Sequence, residues 1–537
     1  MSKNVMTRRG FLKSTAILGA SIASAGSLAG CAPSKSEGEE ITWDKEVDVL
    51  VVGSGTAAIA AIAAKDAGAE SVLIIEKAPA FGGTSALSGG ILWLPQNYVM
   101  KDAGLEDNRE DAYLYMKTLS EGMSTDELIN AFLDNSPLLP EWLRDKFGIS
   151  WGGSTWLNDY YQLPGYRQEG RSIHAVVDNE DLDGSGLWKK LHEICDNLGI
   201  EVMVDTPGKK LITNATGEVI GVYAESNGKG MNIFARKGVI LGTGGFDHNK
   251  DMRTHFLRGP IYISNAAPTN TGDGHLMGMA IGADLRNMSE SWGLPSFPLD
   301  EETLKGEVDW LSFRGKPGAV VVNKYGERIG NESSAYDPFQ RSFYYWDSGK
   351  LEWRNIPAFW ICDTSYAEHN FFPGSNYQMG VVPDWVVKAD SLEELCGNLG
   401  VDFQGLESTL AIFNENAKNG VDPIWHRGEG FFDKITSGDP SRTDIKSPSL
   451  APVEIPPFYG AKYLPGTCGT NGGLRINANA QVIDVWGQPI PRLYAVGNTS
   501  GSVMGAGYAG AGGTVGSGCV FGMIAGRHVI GLESLQL

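Results

Sequence analysis

The sequence predicts an α/β fold with a parallel sheet at its centre, and one stretch near the N-terminus carries this prediction. The run Val47–Val52 is apolar, as is typical of a buried parallel strand. It leads directly into Gly53-Ser54-Gly55-Thr56-Ala57-Ala58 and an alanine-rich helix that ends near Gly68. A second apolar run, Ser71–Ile75, ends at Glu76. Strand, glycine-rich turn, helix and second strand form a βαβ unit of the Rossmann type, which binds dinucleotides.

Each residue type in this unit has a physical role. Gly53 makes the tight turn, Gly55 lets the backbone approach a pyrophosphate, and the small Ala58 allows the helix to pack on the strand. N–H groups at the helix N-terminus attract phosphate. Glu76 lies 21 residues beyond Gly55, where a carboxylate accepts hydrogen bonds from the adenosine ribose, and Lys77 follows it. This unit alone does not separate FAD from NAD.

Three later segments favour FAD. Phe81–Ser85 follows the acidic residue at once, and we expect it to reach the pyrophosphate and the flavin. Strands predicted at 236–241 and 493–496 each end in a turn of small residues, and Val515–His528 predicts a closing helix whose dipole points at the flavin. The predicted cofactor is FAD without a covalent bond, held by Gly53, Gly55, Ala58, Glu76, Lys77, Gly83, Thr84, Ser85, Gly244, Gly497, Asn498 and Val515.

The order of these motifs resembles the flavoprotein superfamily of fumarate reductases and 3-ketosteroid dehydrogenases. That resemblance implies an FAD-binding domain made of residues 42–296 and 461–537. A substrate-capping α+β domain, residues 297–460, is then inserted between the two parts. The middle of the chain fits, because it is rich in Trp, Pro and short irregular elements and lacks a second glycine fingerprint.

Two branches of this superfamily differ in their charged residues. The fumarate-reducing branch holds a dicarboxylate with arginines and a histidine, in the patterns N-E-x-x-x-R-D and V-H-G-A-N-R. Here Tyr336 stands at the first arginine, and Met504 and Tyr508 stand at the histidine and the second arginine. Without these groups the pocket is expected to accept a neutral, apolar molecule.

The same tyrosines resemble the 3-ketosteroid Δ1-dehydrogenase branch, which carries D-Y-Y, N-E-x-x-x-Y-D and Y-P-G-P-G segments. The corresponding segments here are Asp159–Tyr161, Asn331–Asp337 and Tyr508–Gly512. The resemblance implies that the Tyr508 hydroxyl and the Gly512 N–H hold a ring ketone, that Tyr336 moves the adjacent α-proton, and that Tyr160 supports Tyr336. Chemically, this phenol must be poised near neutral pH, and a second phenol and a helix N-terminus favour tyrosinate. Both prolines of the last segment are alanines in this chain.

The leading hypothesis is an enzyme that adds or removes hydrogen across a C–C bond conjugated to a ketone, with 3-oxosteroids as the substrate class and the direction open. One alternative is a reductase of other enones or enoates that serve as respiratory acceptors, for which Arg314 and Arg341 of the cap are candidate cations. Another is an FAD-containing lipoprotein that binds a hydrophobic ligand or relays electrons without turnover.

Composition and charge limit the partners. A formal charge of −20 disfavours nucleic acid and anionic membrane surfaces. The six cysteines contain no C-x-x-C pair, so no metal, iron–sulfur cluster or attached haem is predicted. Any second redox centre is therefore expected in a separate membrane or quinone-linked protein.

The N-terminus carries targeting signals. Thr7–Lys13 includes Arg8 and Arg9 and resembles a twin-arginine export motif, and Ser14–Gly30 is apolar but too short to span a bilayer. Leu28–Cys31 resembles a lipoprotein cleavage box, with simple cleavage as the alternative. We predict a signal at 1–31, a tether at 32–41, and a location in the periplasm or on the outer face of the cytoplasmic membrane, with Cys31 as the candidate lipid anchor.

Replacing Arg8 and Arg9 together by lysine is expected to stop export, because the pair is the feature that the twin-arginine route recognises. Fractionation of cells that make the tagged protein measures this. Normal yield of the variant outside the cytoplasm would contradict the assignment.

Overall fold

The structure, a computed structural model, describes residues 41–153, 159–310 and 313–533. The predicted signal, Cys31 and all of the predicted tether except residue 41 lie outside the described residues. Trp43–Leu537 forms one unit. No helix in the described ranges combines the length and the apolar character needed to cross a membrane.

The described helices are α1 (Ala57–Asp66), α2 (Gly83–Ala86), α3 (Tyr98–Asp102), α4 (Arg109–Leu119), α5 (Asp126–Asn135), α6 (Leu138–Phe147), α7 (Gly184–Asn197), α8 (Lys250–Phe256), α9 (Asp273–Met279), α10 (Tyr336–Arg341), α11 (Thr364–His369), α12 (Leu392–Leu399), α13 (Phe403–Lys418) and α14 (Gly513–His528). Short 3₁₀ turns span Phe313–Gly315 and Gly497–Thr499, and a π-helical turn spans Asp433–Ser437.

The described strands are β1 (Lys45–Val52), β2 (Val72–Ile75), β3 (Ile91–Trp93), β4 (Ser150–Gly153), β5 (Ser172–Val177), β6 (Glu180–Leu182), β7 (Glu201–Met203), β8 (Gly208–Thr213), β9 (Val219–Ser226), β10 (Lys229–Leu241), β11 (Ile263–Ser264), β12 (Leu285–Arg286), β13 (Ser291–Gly293), β14 (Ser296–Asp300), β15 (Lys305–Val308), β16 (Ala319–Asn323), β17 (Trp346–Asp347), β18 (Glu352–Trp353), β19 (Ala358–Cys362), β20 (Val387–Ala389), β21 (Phe458–Tyr463), β22 (Gly466–Thr470), β23 (Gly473–Leu474), β24 (Gln481–Ile483) and β25 (Pro489–Ala495).

The central sheet has eight strands, six of them in the order β24-β25-β10-β1-β2-β7. Strands β25, β10, β1, β2 and β7 are parallel, and β8 and β9 extend an antiparallel arm from the N-terminal half of β10. The inner residues of β1 and all of β2 are buried, since helices cover both faces of such a sheet. The predicted α/β fold with a Rossmann-type unit is therefore confirmed.

Helices α1 and α14 run parallel to each other. They pack closely, because small residues line their contact. A Cβ at Gly518 would meet Thr56, whereas one at Gly526 would lie 2.2 Å from the Ala60 carbonyl oxygen. Both helices therefore begin at the same end of the sheet, where the carboxyl ends of β1 and β10 also lie.

The cap contains a four-stranded antiparallel sheet in the order β16-β19-β21-β20. Side chains alternate between its faces, as the period of a strand requires. Val320 and Val322 pack against α12 and α13, and Val321 packs on the other face, in the same hydrophobic cluster as Phe339 of α10. This second cluster anchors the helix that begins at Tyr336. Strand β21 crosses the predicted domain limit at 460/461 and completes the cap sheet.

We predict that Gly526→Ala lowers the free energy of unfolding by about 1–3 kcal/mol, because its methyl group would overlap the Ala60 carbonyl. Gly397→Ala is the matched control. Gly397 lies in α12, where a Cβ would meet open space, so this change should raise stability by about 0.5–1 kcal/mol. Thermal unfolding measures both, and equal effects would contradict the packing argument.

Candidate active site

An elongated cavity with an empty volume of about 1140 Å³ lies at the shared N-terminal end of α1 and α14. We call it the cofactor cavity. Its lining brings together eleven of the twelve predicted cofactor-binding residues, namely Gly53, Gly55, Glu76, Lys77, Gly83, Thr84, Ser85, Gly244, Gly497, Asn498 and Val515. The twelfth, Ala58, lies fully buried inside α1.

Glycines shape this cavity. Gly53 has φ +104°, and a Cβ there would lie 2.1 Å from the Gly242 carbonyl oxygen. Gly244 and Gly497 also have positive φ, and a Cβ at either would lie 2.5 Å from a neighbouring side-chain oxygen. Larger residues would therefore fill the space or strain the backbone. An extended ligand that contacts bare backbone, such as a dinucleotide, fits this lining.

The carboxylate of Glu76 is held in place by its own neighbours. Oε2 accepts hydrogen bonds from the Ser54 N–H at 2.9 Å and the Ser54 hydroxyl at 2.6 Å, and Oε1 accepts one from the Ala78 N–H at 2.7 Å. A carboxylate has about four acceptor sites, so Oε1 retains one for a ribose hydroxyl. This geometry supports the predicted role of Glu76.

Lys77 lines the cavity with its stem, whereas its ammonium group is engaged elsewhere. The Nζ atom donates to the Thr271 hydroxyl at 2.6 Å and forms an ion pair with Asp273 at 2.9 Å. Thr84 is likewise engaged, because its hydroxyl oxygen accepts from the Ala267 N–H and the Asn270 amide. These two side chains therefore shape the wall around the cofactor.

Tyr508 and Tyr336 meet at one end of the cofactor cavity. Their ring centroids are 5.4 Å apart, and Tyr508 itself lines the cavity. The Gly512 N–H donates to the Tyr508 hydroxyl oxygen at 3.2 Å. Two donor groups this close can both reach one carbonyl oxygen, as an oxyanion site requires. The structure thus brings together Tyr336, Tyr508 and Gly512.

Gly512 occupies a position that excludes a side chain. It caps α14 with φ +91°, and a Cβ there would lie 2.6 Å from the Ile91 carbonyl oxygen. Its N–H group belongs to the positive end of the helix dipole. Glycine at this site therefore permits an amide donor beside Tyr508.

Tyr160 lies behind these two residues, in a second cavity of about 870 Å³. Leu119, Tyr161, Asp337 and Arg341 also line this second cavity. Tyr160 and Tyr336 both pack against the hydrophobic cluster that contains Tyr508 and Leu119. Tyr336 contacts Trp310 and Tyr508 of the cofactor cavity, so it stands in the wall between the two cavities.

Burial keeps all three phenols neutral. It raises the pKa of Tyr508 to about 12, although hydrogen bonds from Tyr336 and the Gly512 N–H oppose this shift. Burial also raises the pKa of Tyr336 and of Tyr160 well above 10. Burial thus acts against the expected lowering of a phenol pKa towards neutral, because desolvation outweighs the helix N-terminus.

Tyr115 joins two of the tyrosine segments, although no sequence motif marks it. Its hydroxyl donates to the Ala509 carbonyl at 2.7 Å and accepts from the Tyr160 N–H at 3.1 Å. The Ser172 hydroxyl donates to the Ala511 carbonyl at 2.8 Å. The loop with alanines in place of prolines is therefore fixed by hydrogen bonds to its carbonyl groups.

A buried ion pair holds the segment before Tyr160. Asp159 accepts hydrogen bonds from Trp93 at 2.8 Å and from Arg171 at 2.7 Å. Arg171 also pairs with Asp107 at 2.7 Å. Burial raises the pKa of Asp159 to about 6, and Arg171 opposes that rise. Asp159 of the D-Y-Y segment thus fixes backbone position.

Three further residues line or flank the reacting end. Trp310 and Cys468 line the cofactor cavity, and Trp292 packs edge-on against Tyr508 at 5.3 Å while its indole N–H donates to Asn498. Only their tertiary position reveals them, although Cys468 directly precedes the glycine-rich segment 469–474.

Both candidate arginines of the cap have partners. Arg314 is fully buried, pairs with Asp309 at 2.8 Å and donates to the Ser334 carbonyl at 2.6 Å. Arg341 lines the second cavity but donates to Glu121 and to the Ala506 carbonyl. Neither arginine is thus placed as a free counter-charge for a dicarboxylate.

The fold and the cofactor cavity define an FAD-dependent oxidoreductase. The chain belongs to the FAD binding domain family, which matches residues 48–515. FAD is therefore its cofactor, and the predicted superfamily is confirmed.

Comparison with named relatives narrows the class of oxidoreductase. The chain is 33% identical to the 4-oxocyclohexanecarboxylate 2-dehydrogenase of Sinomonas cyclohexanicum, over 90% of this chain and 93% of that protein. It is also 33% identical to the 3-oxosteroid 1-dehydrogenase of Mycobacterium tuberculosis, over 90% and 98%. The 3-ketosteroid Δ1-dehydrogenase of Sterolibacterium denitrificans, solved with 1,4-androstadiene-3,17-dione, superposes with a TM-score of 0.82 at 29% identity, over 90% and 99%. The protein is a dehydrogenase or reductase of C–C bonds related to these enzymes.

We predict that Gly55→Val folds but loses FAD, because its side chain would enter the cofactor cavity near Ser85 without meeting backbone closer than 3.7 Å. FAD absorbance per protein after gel filtration measures retention, and heat should release intact FAD from the wild type. Gly397→Ala, which lies in α12 of the cap, should retain FAD. Stoichiometric FAD in Gly55→Val would contradict the assignment of the cavity.

Proposed function

We propose that this protein adds or removes hydrogen across a C–C bond next to a ring ketone, and that 3-oxosteroids are its substrate class. The observation that carries the proposal is the meeting of Tyr508, Gly512 and Tyr336 at one end of the cofactor cavity. FAD, when bound, supplies hydride exchange at flavin N5. The residues of the chain supply the rest.

The ketone oxygen takes hydrogen bonds from the Tyr508 hydroxyl and from the Gly512 N–H, which turns to it from the Tyr508 hydroxyl oxygen. These groups are 3.2 Å apart, and their donors stabilise the negative charge that develops on the oxygen as an enolate forms. The raised pKa keeps Tyr508 protonated at physiological pH, so it remains a donor. Its surroundings are also dry, which strengthens both hydrogen bonds.

Tyr336 moves the proton at the carbon next to the ketone. In the reducing direction its neutral hydroxyl donates this proton, and the raised pKa favours that state. In the dehydrogenating direction the phenolate must form first, so that reaction should speed up with rising pH while reduction slows.

The relatives' named substrates support a ring ketone, since 4-oxocyclohexanecarboxylate and 3-oxosteroids share that group. Trp310 and Tyr508 line the cofactor cavity, Tyr336 packs against both, and these aromatic rings suit a flat apolar ring. The second candidate, a reductase of other enones or enoates, is favoured only by Arg341, which lines the second cavity but already has Glu121 as its partner.

Electrons are proposed to come from, or go to, a separate membrane or quinone-linked protein. The twin-arginine motif at Arg8 and Arg9 supports an enzyme that folds with FAD and is then exported to the periplasm or the outer membrane face. Cys31 is proposed as the lipid anchor.

The test is anaerobic: photoreduced holoenzyme is mixed with 1,4-androstadiene-3,17-dione, phenylpropenoids or fumarate, and flavin reoxidation is recorded. The steroid should reoxidise the flavin. Fumarate should not, because a desolvated dianion would face tyrosines without counter-charges. Rapid reoxidation by fumarate alone would contradict the proposal.

Tyr508→Phe and Tyr336→Phe should each retain FAD and lose about 10²-fold to 10⁴-fold in kcat, with little change in KM. Each change removes one hydroxyl that acts on the developing charge or the proton. Tyr161→Phe is the control, because Tyr161 lines the second cavity and packs on Gly430. Steady-state kinetics measure all three variants. An unimpaired Tyr508→Phe enzyme would mean that Tyr508 is a core aromatic residue without a part in the reaction.

A further inference from the structure

Asp337 has a position that the proposed chemistry leaves unexplained. Its carboxyl group is 5% exposed and follows Tyr336 directly in the chain. Oδ1 accepts a hydrogen bond from the Gly293 N–H at 2.8 Å. No hydrogen-bond donor of the described residues reaches the other oxygen, Oδ2. The fully buried polar atoms of the described residues that lack a partner do not include Oδ2, so this oxygen borders space that solvent can reach.

Two cavities meet at this carboxyl group. Asp337 lines the second cavity together with Tyr160, and it lines a third cavity of about 360 Å³ together with Arg258, Glu290 and Tyr344. Arg258 is 43% exposed and pairs with Glu290 at 2.6 Å, so the third cavity reaches the surface beside this ion pair. The part of the third cavity that a water-sized sphere can enter has room for roughly one water molecule.

The charged surroundings of Asp337 come from several elements. Arg341 lies on the same helix, α10, Glu290 precedes β13, and Glu121 follows α4. The negative charge of Asp337 contributes to the raised pKa of Tyr160, Tyr344 and Cys468. Burial raises the pKa of Asp337 to about 6, with Glu290 and Glu121 adding to the rise and Arg341 and the Gly293 N–H opposing it. Such a carboxyl group exchanges protons readily near neutral pH.

We propose that Asp337 carries protons between solvent and the Tyr160–Tyr336 pair, with the third cavity as its outer side and the second cavity as its inner side. This inference rests on the proposed function, because it assigns the path of the proton that Tyr336 exchanges with substrate.

In the reducing direction, Tyr336 gives its hydroxyl proton to the substrate carbon and becomes a phenolate. The Tyr160 hydroxyl passes its proton to Tyr336. Protonated Asp337 then gives its proton, through water in the second cavity, to the Tyr160 phenolate. The Asp337 carboxylate takes a new proton from solvent through the third cavity, so one proton enters for each one used. Dehydrogenation runs the same path outward.

Asp337→Asn tests the path. The asparagine oxygen still accepts from the Gly293 N–H, so the fold and FAD content should be kept while the proton is lost. The rate at which 1,4-androstadiene-3,17-dione reoxidises the flavin should fall by roughly 10-fold to 10²-fold, less than for loss of a direct acid. Added formate buffer should restore part of that rate, because a small acid replaces the missing proton carrier.

Asp433→Asn is the matched control. Asp433 is buried and lines the same cavity, but its Oδ2 accepts from the Asn331 amide and the Gly428 N–H. This variant should keep the wild-type rate. The proposal is overturned by a rate for Asp337→Asn within twofold of the wild type, by an equal loss in Asp433→Asn, or by a loss that formate does not restore.

A measurement without substrate separates this inference from the proposed function. In the infrared difference spectrum of wild-type minus Asp337→Asn holoenzyme near pH 5, which cancels other protonated carboxyl groups such as Asp159, a protonated carboxyl band should remain and should shift at once in D₂O. A difference band that exchanges slowly, or the lack of any difference band, overturns the proton path even if the steroid is turned over. If the wild type does not turn over the steroid, the proposed function fails. The infrared band then tests by itself whether Asp337 exchanges its proton with solvent.

Discussion

The close parallel packing of α1 on α14 is the constraint on which the rest of the site depends. Because glycines of α14 contact the backbone of α1, both helices begin beside one cavity. Their N–H groups then point into it, one set towards the place of the pyrophosphate and the other towards Tyr508. A side chain on the contact stripe would separate the helices and move Gly512 away from the cofactor cavity.

In the proposed function, electrostatics makes the site select a neutral ketone over a dicarboxylate. A dianion entering this end of the cavity would meet two neutral phenols, Tyr336 and Tyr508, while Arg314 and Arg341 are already paired with Asp309 and Glu121. The cost of desolvating two carboxylates would remain without compensation. A ketone needs only hydrogen-bond donors, and the same burial that keeps the phenols protonated supplies them.

Local sequence patterns predicted the fold well. The first strand, expected at 47–52, spans Lys45–Val52, and the closing helix, expected from Val515, begins at Gly513. Hydrophobic period and glycine turns act within a few residues, so a sequence displays them. By contrast, Tyr115 and Ala509 are 394 positions apart in the sequence. Asp273, which forms an ion pair with the Lys77 ammonium group, is also far from Lys77 in the sequence. Such contacts, and the desolvation that shifts a pKa, exist only once the chain has folded.

The loop from Tyr508 to Gly512 is stiffened in one way in the related family and in another way in this chain. The related family stiffens this loop with prolines, which restrict the backbone before any contact forms. Here alanines leave the backbone freer, and Tyr115 and Ser172 hold the carbonyl groups of Ala509 and Ala511 instead. Because the Tyr115 hydroxyl also accepts from the Tyr160 N–H, stiffening by hydrogen bonds couples the loop proposed to bind the ketone to the segment proposed to support Tyr336. A proline would give rigidity alone, whereas this arrangement makes the position of one tyrosine depend on that of another.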